Sequence, residues 1–561
     1  MGTTRPELLI IGLDGACFDL VGPWLDGGLL PNLRTLMDEG AFGSLRSTVP
    51  AITPTAWTTM ATGVNPGRHG VFNFVQLADG CGYDGEITSR ATCAVDSVWR
   101  MLNEGGATCG LFAVPWTHPP EALDRFVLAG YGAPNSDPSV AHPEELFDEV
   151  VGRFGAYPLW TDWLRRPGSR EARADLSAAD IETHVEQLAA ISSYLLEHHP
   201  TDVFMMVFNC TDWIAHFFMQ HRQVRGADDV VRHTYRKVDD AIGCLVRQVG
   251  EQANVLVVSD HGIEASSRSV NLAQWLYEEG LWSPTSEPAA DGTPVSRLSP
   301  TQRATAAAGR AASLARWSIP TPVAGLLARP YRYLRDKWSW SAVESPVNWA
   351  RTKAFLWGSR FPFIQMNVRG REPVGTVSPG SEYEQLRQYL VDELLQLRDE
   401  ETGQRILRSV YQGEELYHGP RRPHWPDIVP VFAPHYGHVW SLNAPGPVGS
   451  AIAADLDLRD GRDADHSQHG LFIARGPAVG SRGPTHGLRL EDIAPSILAM
   501  VGLPVPSGLD GGPAPCLSQP DGTTPVRRRE LSPATHPLDG GAHTPEEQAI
   551  IRARLHDLGY L

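Results

Sequence analysis

Short runs of consecutive apolar residues recur along the chain, and several of them are followed directly by a polar residue. The runs lack the alternation expected of a sheet with one wet face, so they predict strands that are covered on both faces. The predicted strands are Leu8 to Leu13, Cys109 to Val114, Val203 to Phe208, Val255 to Val258, Ile428 to Phe432 and Leu471 to Ala474.

Longer segments between these runs have helical character. They are Leu30 to Glu39, Ala178 to His198, Val230 to Val249, Glu382 to Arg398 and Leu490 to Val501. The alternation of buried strands with helices predicts an α/β fold built on a largely parallel sheet.

Two segments differ in composition from the rest of the chain. Residues 284–345 are rich in Ala, Pro, Ser and Arg and predict an insertion, whereas residues 504–545 are rich in Pro and Gly and predict an extended surface segment. The first contains a basic-aromatic run at 329–340. A solvated helix face is our preferred interpretation of this run, and docking on anionic lipid or a phosphate-rich substrate is the alternative.

Composition and charge exclude some classes of protein. The 561 residues are too many for one ordinary core, and 42% hydrophobic with 20% charged residues indicates a folded globular chain. Acidic residues outnumber basic ones by 65 to 48, giving a net charge of -17. This balance argues against a general nucleic-acid partner, which would need a basic surface to displace counterions.

Cellular location is predicted from what the sequence does not contain. The seven cysteines are scattered and form neither a disulfide framework nor a CxxC zinc motif, which indicates a reducing compartment. No targeting segment and no run near the ~20 apolar residues of a membrane-spanning helix is visible. Positive charge is almost wholly Arg, which is typical of GC-rich bacterial genomes. We therefore expect a soluble, cytoplasmic bacterial protein.

Carboxylates follow three of the predicted strands. Asp14, Asp212 and Asp260 come directly or shortly after strands, and His216 and His261 accompany the last two. Three carboxylates at one sheet edge repel one another unless a cation joins them. Each piece alone is more often a helix cap or a surface pair. Together they predict a site for zinc or a similar divalent ion.

A second candidate feature is the segment from Thr53 to Gly63. Thr53 is a good N-cap, Pro54 a good first helical residue and Gly63 a good stop signal, so we expect a short helix between them. The N-terminus of such a helix suits phosphate. Local sequence alone favours a capping role for Thr53, while a nearby divalent ion would make its hydroxyl a nucleophile.

The order of these motifs resembles the alkaline phosphatase superfamily, in its nucleotide pyrophosphatase/phosphodiesterase branch. Closer still, it is similar to bacterial proteins described as predicted phosphohydrolases or phosphomutases. The resemblance rests on Asp14, Thr53 with Thr62-Gly63, the segment 65–70, Asp212 with His216, Asp260-His261 and His466, and more weakly on 368–383 and 425–429.

The resemblance implies a three-layer α/β/α sandwich with an inserted cap region. It assigns 1–283 and 466–503 to the metallophosphoesterase core, 284–465 to the cap and 504–561 to an extended tail. It also implies two divalent ions about 4 Å apart, with zinc expected and manganese or magnesium as alternatives.

The resemblance also assigns roles residue by residue. Thr53 matches the nucleophile. Asp14, Asp260 and His261, with the Thr53 oxygen, match one metal site, and Asp212, His216 and His466 match the other. His466 fits the family's spacing better than the nearby His469 and His486. His69 is interpreted as structural support.

Some family features are missing or displaced. The motif from which sulfatases make formylglycine does not occur near Thr53, and no Arg adjoins Thr53 as in the classical monoesterases. The phosphodiesterases carry an Asn about twenty-one positions after the Thr, and here Asn73 lies one position short of that spacing. A phosphate-oxygen donor and a turn residue are both open interpretations of Asn73.

These implications define the expected reaction. We expect hydrolysis of a small-molecule phosphate ester through a phosphothreonine intermediate. A diester is favoured because it carries one charge fewer and needs less cationic help. The alternatives are a phosphomonoesterase or phosphomutase of the same superfamily, and a non-catalytic protein that binds a phosphate ligand.

Overall fold

The computed structural model describes residues 6–77, 82–160, 170–219, 229–285, 347–438, 452–455, 462–518 and 543–561. The basic-aromatic run at 329–340 lies outside the described residues, as do the rest of 286–346 and residues 519–542.

The strands are numbered in chain order. They are β1 (Leu8–Leu13), β2 (Ala41–Arg46), β3 (Val75–Leu77), β4 (Gly85–Ile87), β5 (Cys109–Val114), β6 (Phe126–Ala129), β7 (Ala141–His142), β8 (Val203–Phe208), β9 (Asn254–Val258), β10 (Gly262–Val270), β11 (Ala354–Gly358), β12 (Pro362–Met366), β13 (Leu407–Gln412), β14 (Ile428–Phe432), β15 (His435–His438), β16 (Ala453–Asp455), β17 (Ala464–Ser467), β18 (His469–Arg475), β19 (Gly483–Pro484) and β20 (Leu488–Arg489).

The α-helices are numbered in the same way. They are α1 (Phe18–Asp26), α2 (Pro31–Glu39), α3 (Thr53–Thr62), α4 (Pro66–His69), α5 (Val98–Glu104), α6 (Glu145–Phe154), α7 (Arg170–His198), α8 (Cys210–Phe218), α9 (Val230–Val249), α10 (Leu272–Glu278), α11 (Ser381–Gln396), α12 (Gly413–Leu416), α13 (Ile493–Met500) and α14 (Pro545–Asp557).

The central sheet has the strand order β19-β2-β18-β9-β1-β8-β5-β6-β7, with β20 beside β2. Strands β9, β1, β8, β5 and β6 run parallel, and β1 pairs with both β8 and β9. The carboxyl ends of these parallel strands therefore meet at one edge. This pairing brings together the segments that follow β1, β8 and β9, which carry the predicted carboxylates.

Helices cover both faces of this sheet. Side chains of β1 alternate between two cores, with Leu9 and Ile11 in one and Leu8 and Ile10 in the other. The first core includes α1, α2, α7 and α9, and the second includes α3, α5 and α13. The predicted α/β/α sandwich is confirmed, and its central strands β1, β5, β8 and β9 are buried at every position because helices cover both faces.

Smaller sheets adjoin the sandwich. Strands β11, β12, β14 and β13 form an antiparallel sheet within 354–432. Strand β10 pairs with β15, β16 and β17. Strand β10, from the predicted first part of the core, is thereby joined to β15 and β16 of the predicted cap region and to β17, which crosses the predicted boundary between cap and core.

Two local expectations differ from the structure. Residues 545–557 form a helix rather than an extended tail, and α14 begins with a capping box between Thr544 and Glu547. Helix α3 begins at Thr53, so Thr53 is not the N-cap. The backbone of Ile52 is still extended and takes that position, which leaves the Thr53 hydroxyl outside the capping role. Gly63 ends the helix in the left-handed region at φ 68°, as predicted.

Candidate metal centre

The first group of candidate ligands comprises Asp14, Asp260 and His261, at the ends of β1 and β9. All three are buried, and one candidate ligand atom from each lies within 4.8 Å of the others. His261 Nε2 lies 3.1 Å from Asp260 Oδ2 and 3.7 Å from Asp14 Oδ1. The parallel pairing of β1 with β9 makes this convergence possible.

The second group comprises Asp212, His216 and His466, again with ligand atoms within 4.8 Å of one another. Asp212 lies in the first turn of α8 and His216 one turn later, so both face the same way. His216 Nε2 and His466 Nε2 lie 3.1 Å and 3.6 Å from Asp212 Oδ1. His466 reaches this position because β17 pairs with β10, placing His466 opposite Ile263.

The two groups adjoin each other. The rings of His261 and His466 stack with their centroids 3.6 Å apart and their planes 22° apart. The six side chains therefore form one buried, continuous array of carboxylate oxygens and imidazole nitrogens.

The three imidazole rings are held by the same kind of hydrogen bond, from Nδ1 to a backbone carbonyl. Each Nδ1 lies 2.8 to 3.0 Å from a backbone carbonyl oxygen: Gly262 for His261, Ala464 for His216 and Ala51 for His466. A carbonyl only accepts, so each Nδ1 carries the proton and each Nε2 presents a lone pair. Metal-binding histidines are commonly held in this way.

Burial supports the neutral form of two of these rings. It lowers the pKa of His216, and Arg462 lowers it further; burial also lowers the pKa of His466 well below its usual value. The Nε2 atoms of His216 and His466 lie only 3.0 Å apart. The approach of these two lone pairs is unfavourable unless positive charge lies beside them. Arg462 Nη2 donates to His216 Nε2 at 2.9 Å, and a divalent cation would bind both nitrogens.

In each of the three carboxylates, one oxygen accepts a hydrogen bond from another group of the protein. Asp14 Oδ2 accepts from Asn209 Nδ2 at 2.9 Å and from Trp57 Nε1 at 3.3 Å. Asp260 Oδ1 accepts from Gly15 N–H at 3.3 Å, and Asp212 Oδ2 accepts from another side chain at 2.6 Å. The other oxygen of each carboxylate has no hydrogen-bond partner among the described residues.

The pKa shifts of the carboxyl groups also support a cation site. Burial, followed by the charges of Asp260 and Asp212, raises the pKa of Asp14 well above its usual value. Burial raises the pKa of Asp260 to about 6. Unsatisfied carboxylate oxygens beside imidazole lone pairs fit divalent cations.

Thr53 lies beside the first group. Its Oγ1 is 3.2 Å from His261 Nε2, and the residue is 1% exposed. Because Nδ1 of His261 carries the proton, the Thr53 hydroxyl donates to Nε2. The hydroxyl thus stands at the start of α3 and against the nitrogen that would bind an ion.

The structure separates the histidines that lay close in sequence. His466 is buried within the second group, whereas His469 and His486 are exposed. His69 is fully buried away from both groups. Its Nδ1 accepts from Val71 N–H at 3.1 Å, so its Nε2 donates to Thr59 Oγ1 at 2.9 Å. Burial lowers the pKa of His69 to about 3, so this neutral ring supports α3 structurally.

Asn73 is fully buried and its side chain is engaged in structural bonds. Nδ2 donates to the Phe361 carbonyl at 2.9 Å, and Oδ1 accepts from Phe74 N–H at 2.8 Å. The ring of Phe361 in turn lies over His466, with centroids 4.8 Å apart. These contacts give Asn73 a role in holding the turn between β11 and β12 next to the second group.

Sequence reasoning missed two side chains of this site, Arg462 and Tyr560. Arg462 Nη2 lies 2.9 Å from His216 Nε2, and the Tyr560 hydroxyl is the donor to Asp212 Oδ2. Asp212 and Tyr560 are 348 positions apart, and no motif marks either new residue. The nearness of Arg462 in sequence to the predicted ligand His466 was the one available signal.

The sandwich and its site together define a class of proteins, the alkaline phosphatase superfamily. A family model described as type I phosphodiesterase / nucleotide pyrophosphatase matches residues 8–439. The chain belongs to this family, whose members are hydrolases that typically use divalent metals. No curated protein matches the chain. In the part of the chain that the structure describes, none of the helices is long and apolar enough to cross a membrane.

Proposed function

We propose that this protein is a two-metal phosphodiesterase in which Thr53 is the nucleophile. The observation that carries the proposal is the Thr53 hydroxyl, 3.2 Å from His261 Nε2, at the edge of two adjoining Asp/His groups. The first ion would be held by Asp14, Asp260 and His261 with the Thr53 oxygen. The second would be held by Asp212, His216 and His466.

The side chains present favour zinc, because carboxylate oxygens and neutral imidazoles are its usual ligands; manganese and magnesium remain alternatives. Bound divalent ions supply Lewis-acid stabilisation of the negative charge on the reacting oxygens.

Thr53 performs the covalent chemistry in this proposal. Its Oγ1 attacks phosphorus, the bond from phosphorus to the leaving alcohol breaks, and a phosphothreonine forms. Water then cleaves the bond between Oγ1 and phosphorus and releases the phosphate product, so one hard step becomes two easier ones. In this proposal the backbone N–H groups of Thr53 and Thr55, which have no partner within the helix, stabilise the phosphoryl oxygens; Pro54 between them has no N–H.

A diester substrate follows from the family and from the absence of an Arg next to Thr53 in the sequence. Arg462, beside His216, is the one observation that favours a monoester instead, because it adds a positive charge to the site from a distant part of the chain. We propose the diesterase as the main activity and the monoesterase as the second candidate.

We also propose that residues 284–465 act as the cap over the core formed by 1–283 and 466–503. The contact that supports this division is the Arg360-Phe361 turn. Phe361 covers His466, and the Phe361 carbonyl accepts from Asn73 Nδ2 at 2.9 Å.

The proposed function is tested with a panel of activated aryl phosphates. Protein stripped by a chelator is reloaded with Zn²⁺, Mn²⁺ or Mg²⁺, and turnover of a bis-aryl diester and an aryl monoester is measured. We expect no turnover by stripped protein and faster turnover of the diester after reloading. Failure of every metal to support turnover of either ester would overturn the proposal.

A further inference from the structure

The side chain of Tyr560 enters the second group of ligands from the segment that follows α14. Its hydroxyl donates to Asp212 Oδ2 at 2.6 Å, and the same oxygen lies 3.1 Å from His216 Nε2 and 3.3 Å from His466 Nε2. Tyr560 is 1% exposed. One hydroxyl therefore touches all three side chains proposed to hold the second ion.

Contacts from several parts of the chain hold Tyr560 in this place. Arg360 N–H donates to its carbonyl at 2.9 Å, and the Phe74 ring packs against its ring with centroids 4.5 Å apart. The Arg462 guanidinium lies 4.5 Å from the centre of the Tyr560 ring and donates to the Leu558 carbonyl at 2.8 Å. The ring is thus fixed by packing on its faces, independently of its hydroxyl.

The hydrogen bond to Asp212 determines which carboxylate oxygen is left for an ion. The Tyr560 proton occupies Oδ2, while Oδ1 has no hydrogen-bond partner among the described residues and faces the two Nε2 atoms. Asn209 and Gly15 hold one oxygen of Asp14 and of Asp260 in the same way. Tyr560 gives Asp212 the corresponding support.

We infer that Tyr560 is a positioning residue that fixes Asp212 as a one-oxygen ligand and thereby sets the affinity of the second metal site. The inference rests on the proposed function, because it presumes that Asp212, His216 and His466 bind an ion. Residues that orient metal ligands typically change metal affinity by about 10–100-fold when they are removed. We expect a loss in this range at one site only.

The test is a calorimetric titration of chelator-stripped protein with Zn²⁺. Tyr560→Phe keeps the ring and its packing and removes only the hydroxyl. Tyr157→Phe is the matched control, since Tyr157 is also buried and its hydroxyl donates to the Ala129 carbonyl at 2.6 Å, outside the metal centre. We expect two sites in the wild type and in Tyr157→Phe. In Tyr560→Phe we expect one unchanged site and one weakened by about 10–100-fold.

A second variant, His216→Ala, shows which of the two metal sites is weakened by Tyr560→Phe. His216→Ala should keep only the first ion, and adding Tyr560→Phe to it should leave the affinity of that ion unchanged. Excess Zn²⁺ should also restore turnover by Tyr560→Phe, which a structural defect would not allow.

The outcomes separate the inference from the proposed function. A wild-type protein that binds no Zn²⁺ overturns the proposed function and the inference with it. A wild type with two ions beside a Tyr560→Phe variant of unchanged affinity overturns the inference alone. Failure of excess Zn²⁺ to restore turnover while both sites fill does the same.

Discussion

Thr53 combines a position at the start of a helix with a hydroxyl that the helix does not use. The N-cap is Ile52, and Thr53 Oγ1 instead meets His261 Nε2. We predict that Thr53→Ala lowers turnover of an activated diester by about 10³-fold or more, because the variant has no oxygen to form the phospho-enzyme. Melting temperature and metal content should stay close to the wild type, since Thr53 supplies only one ligand oxygen.

Three further variants test whether Thr53, and no other Thr of α3, is the nucleophile. Thr53→Ser should keep substantial activity, because a primary hydroxyl can occupy the same place. Thr55→Ala and Thr58→Ala are controls on the same helix and should remain active. Normal turnover by Thr53→Ala would exclude the covalent mechanism. An inactive Thr55→Ala variant would move the nucleophile by two residues.

His466 is the one proposed ligand for which the sequence offered alternatives, His469 and His486. Burial beside Asp212 and His216 separates it from the exposed His469 and His486. We predict that His466→Ala loses one of two ions and most of the activity, whereas His469→Ala and His486→Ala keep both. Metal analysis of the three purified variants, together with turnover, checks this. An ion lost from His469→Ala but kept in His466→Ala would reverse the assignment.

At the scale of elements, the close packing of α3 on β1 couples the sheet to the metal centre. A Cβ on Gly12 would lie 2.7 Å from both Trp57 Cη2 and Val207 Cγ2. Trp57 also donates to Asp14 Oδ2. We predict that Gly12→Ala lowers the free energy of unfolding by about 1–3 kcal/mol through overpacking. It should also weaken the first metal site by displacing Trp57.

Gly152 on α6 is the matched control for Gly12. No atom lies within 4 Å of a Cβ built there, so Gly152→Ala should raise stability by about 0.5–1 kcal/mol through better helix propensity. Denaturant unfolding of both variants, with Zn²⁺ affinity measured alongside, checks the pair. A Gly12→Ala protein as stable as Gly152→Ala would show that the interface between β1 and α3 is not tightly packed.

The elements that sequence predicted best are those with one dominant signal. Strands β1, β5 and β8 lie at their predicted bounds because burial on both faces demands continuous apolar runs. Strand β14, in a smaller sheet, also lies at its predicted bounds, although its last two residues are only partly buried. The start of α3 was displaced by one residue because a Thr followed by Pro satisfies the capping pattern, while the chain turns helical at Thr53 itself. Helix α14 was missed because the Pro- and Gly-rich composition of the preceding segment was extended across it.

At the scale of the whole molecule, the site depends on contacts that no local pattern encodes. The sequence predicted the candidate site residues that belong to motifs at strand or helix ends. They are Asp14, Thr53, Asp212, Asp260 and His466. The contacts of Tyr560 and Arg462 could not be predicted from the sequence, because they form only when distant segments pack together. Motifs therefore predicted the proposed ligands, and only tertiary structure supplied the residues that orient them.

Bound ions should make the stability of the whole molecule depend on pH. Bound ions stabilise only the folded chain, by about 2.7 kcal/mol per site at a free concentration of 100 Kd. Ligand carboxylates must be deprotonated to bind. Without ions, the raised pKa of Asp260, about 6, means that the folded protein holds a proton that the unfolded chain releases. This contribution to stability is present at low pH and is lost as pH rises from about 4 to about 6.

The stabilisation by Zn²⁺ should therefore be small at pH 5 and should grow as pH rises, because Asp260 and Asp14, whose pKa is also raised well above its usual value, must both lose a proton before an ion binds. His216 and His466 do not oppose this trend, because their lowered pKa values leave them neutral before an ion binds. The measurement is the difference in unfolding free energy between loaded and stripped protein across this pH range. Asp212→Asn should reduce the difference, whereas Asp38→Asn, on the exposed face of α2, should not. An increment from Zn²⁺ that is equal at pH 5 and pH 8 would show that buried carboxylates do not bind the ions.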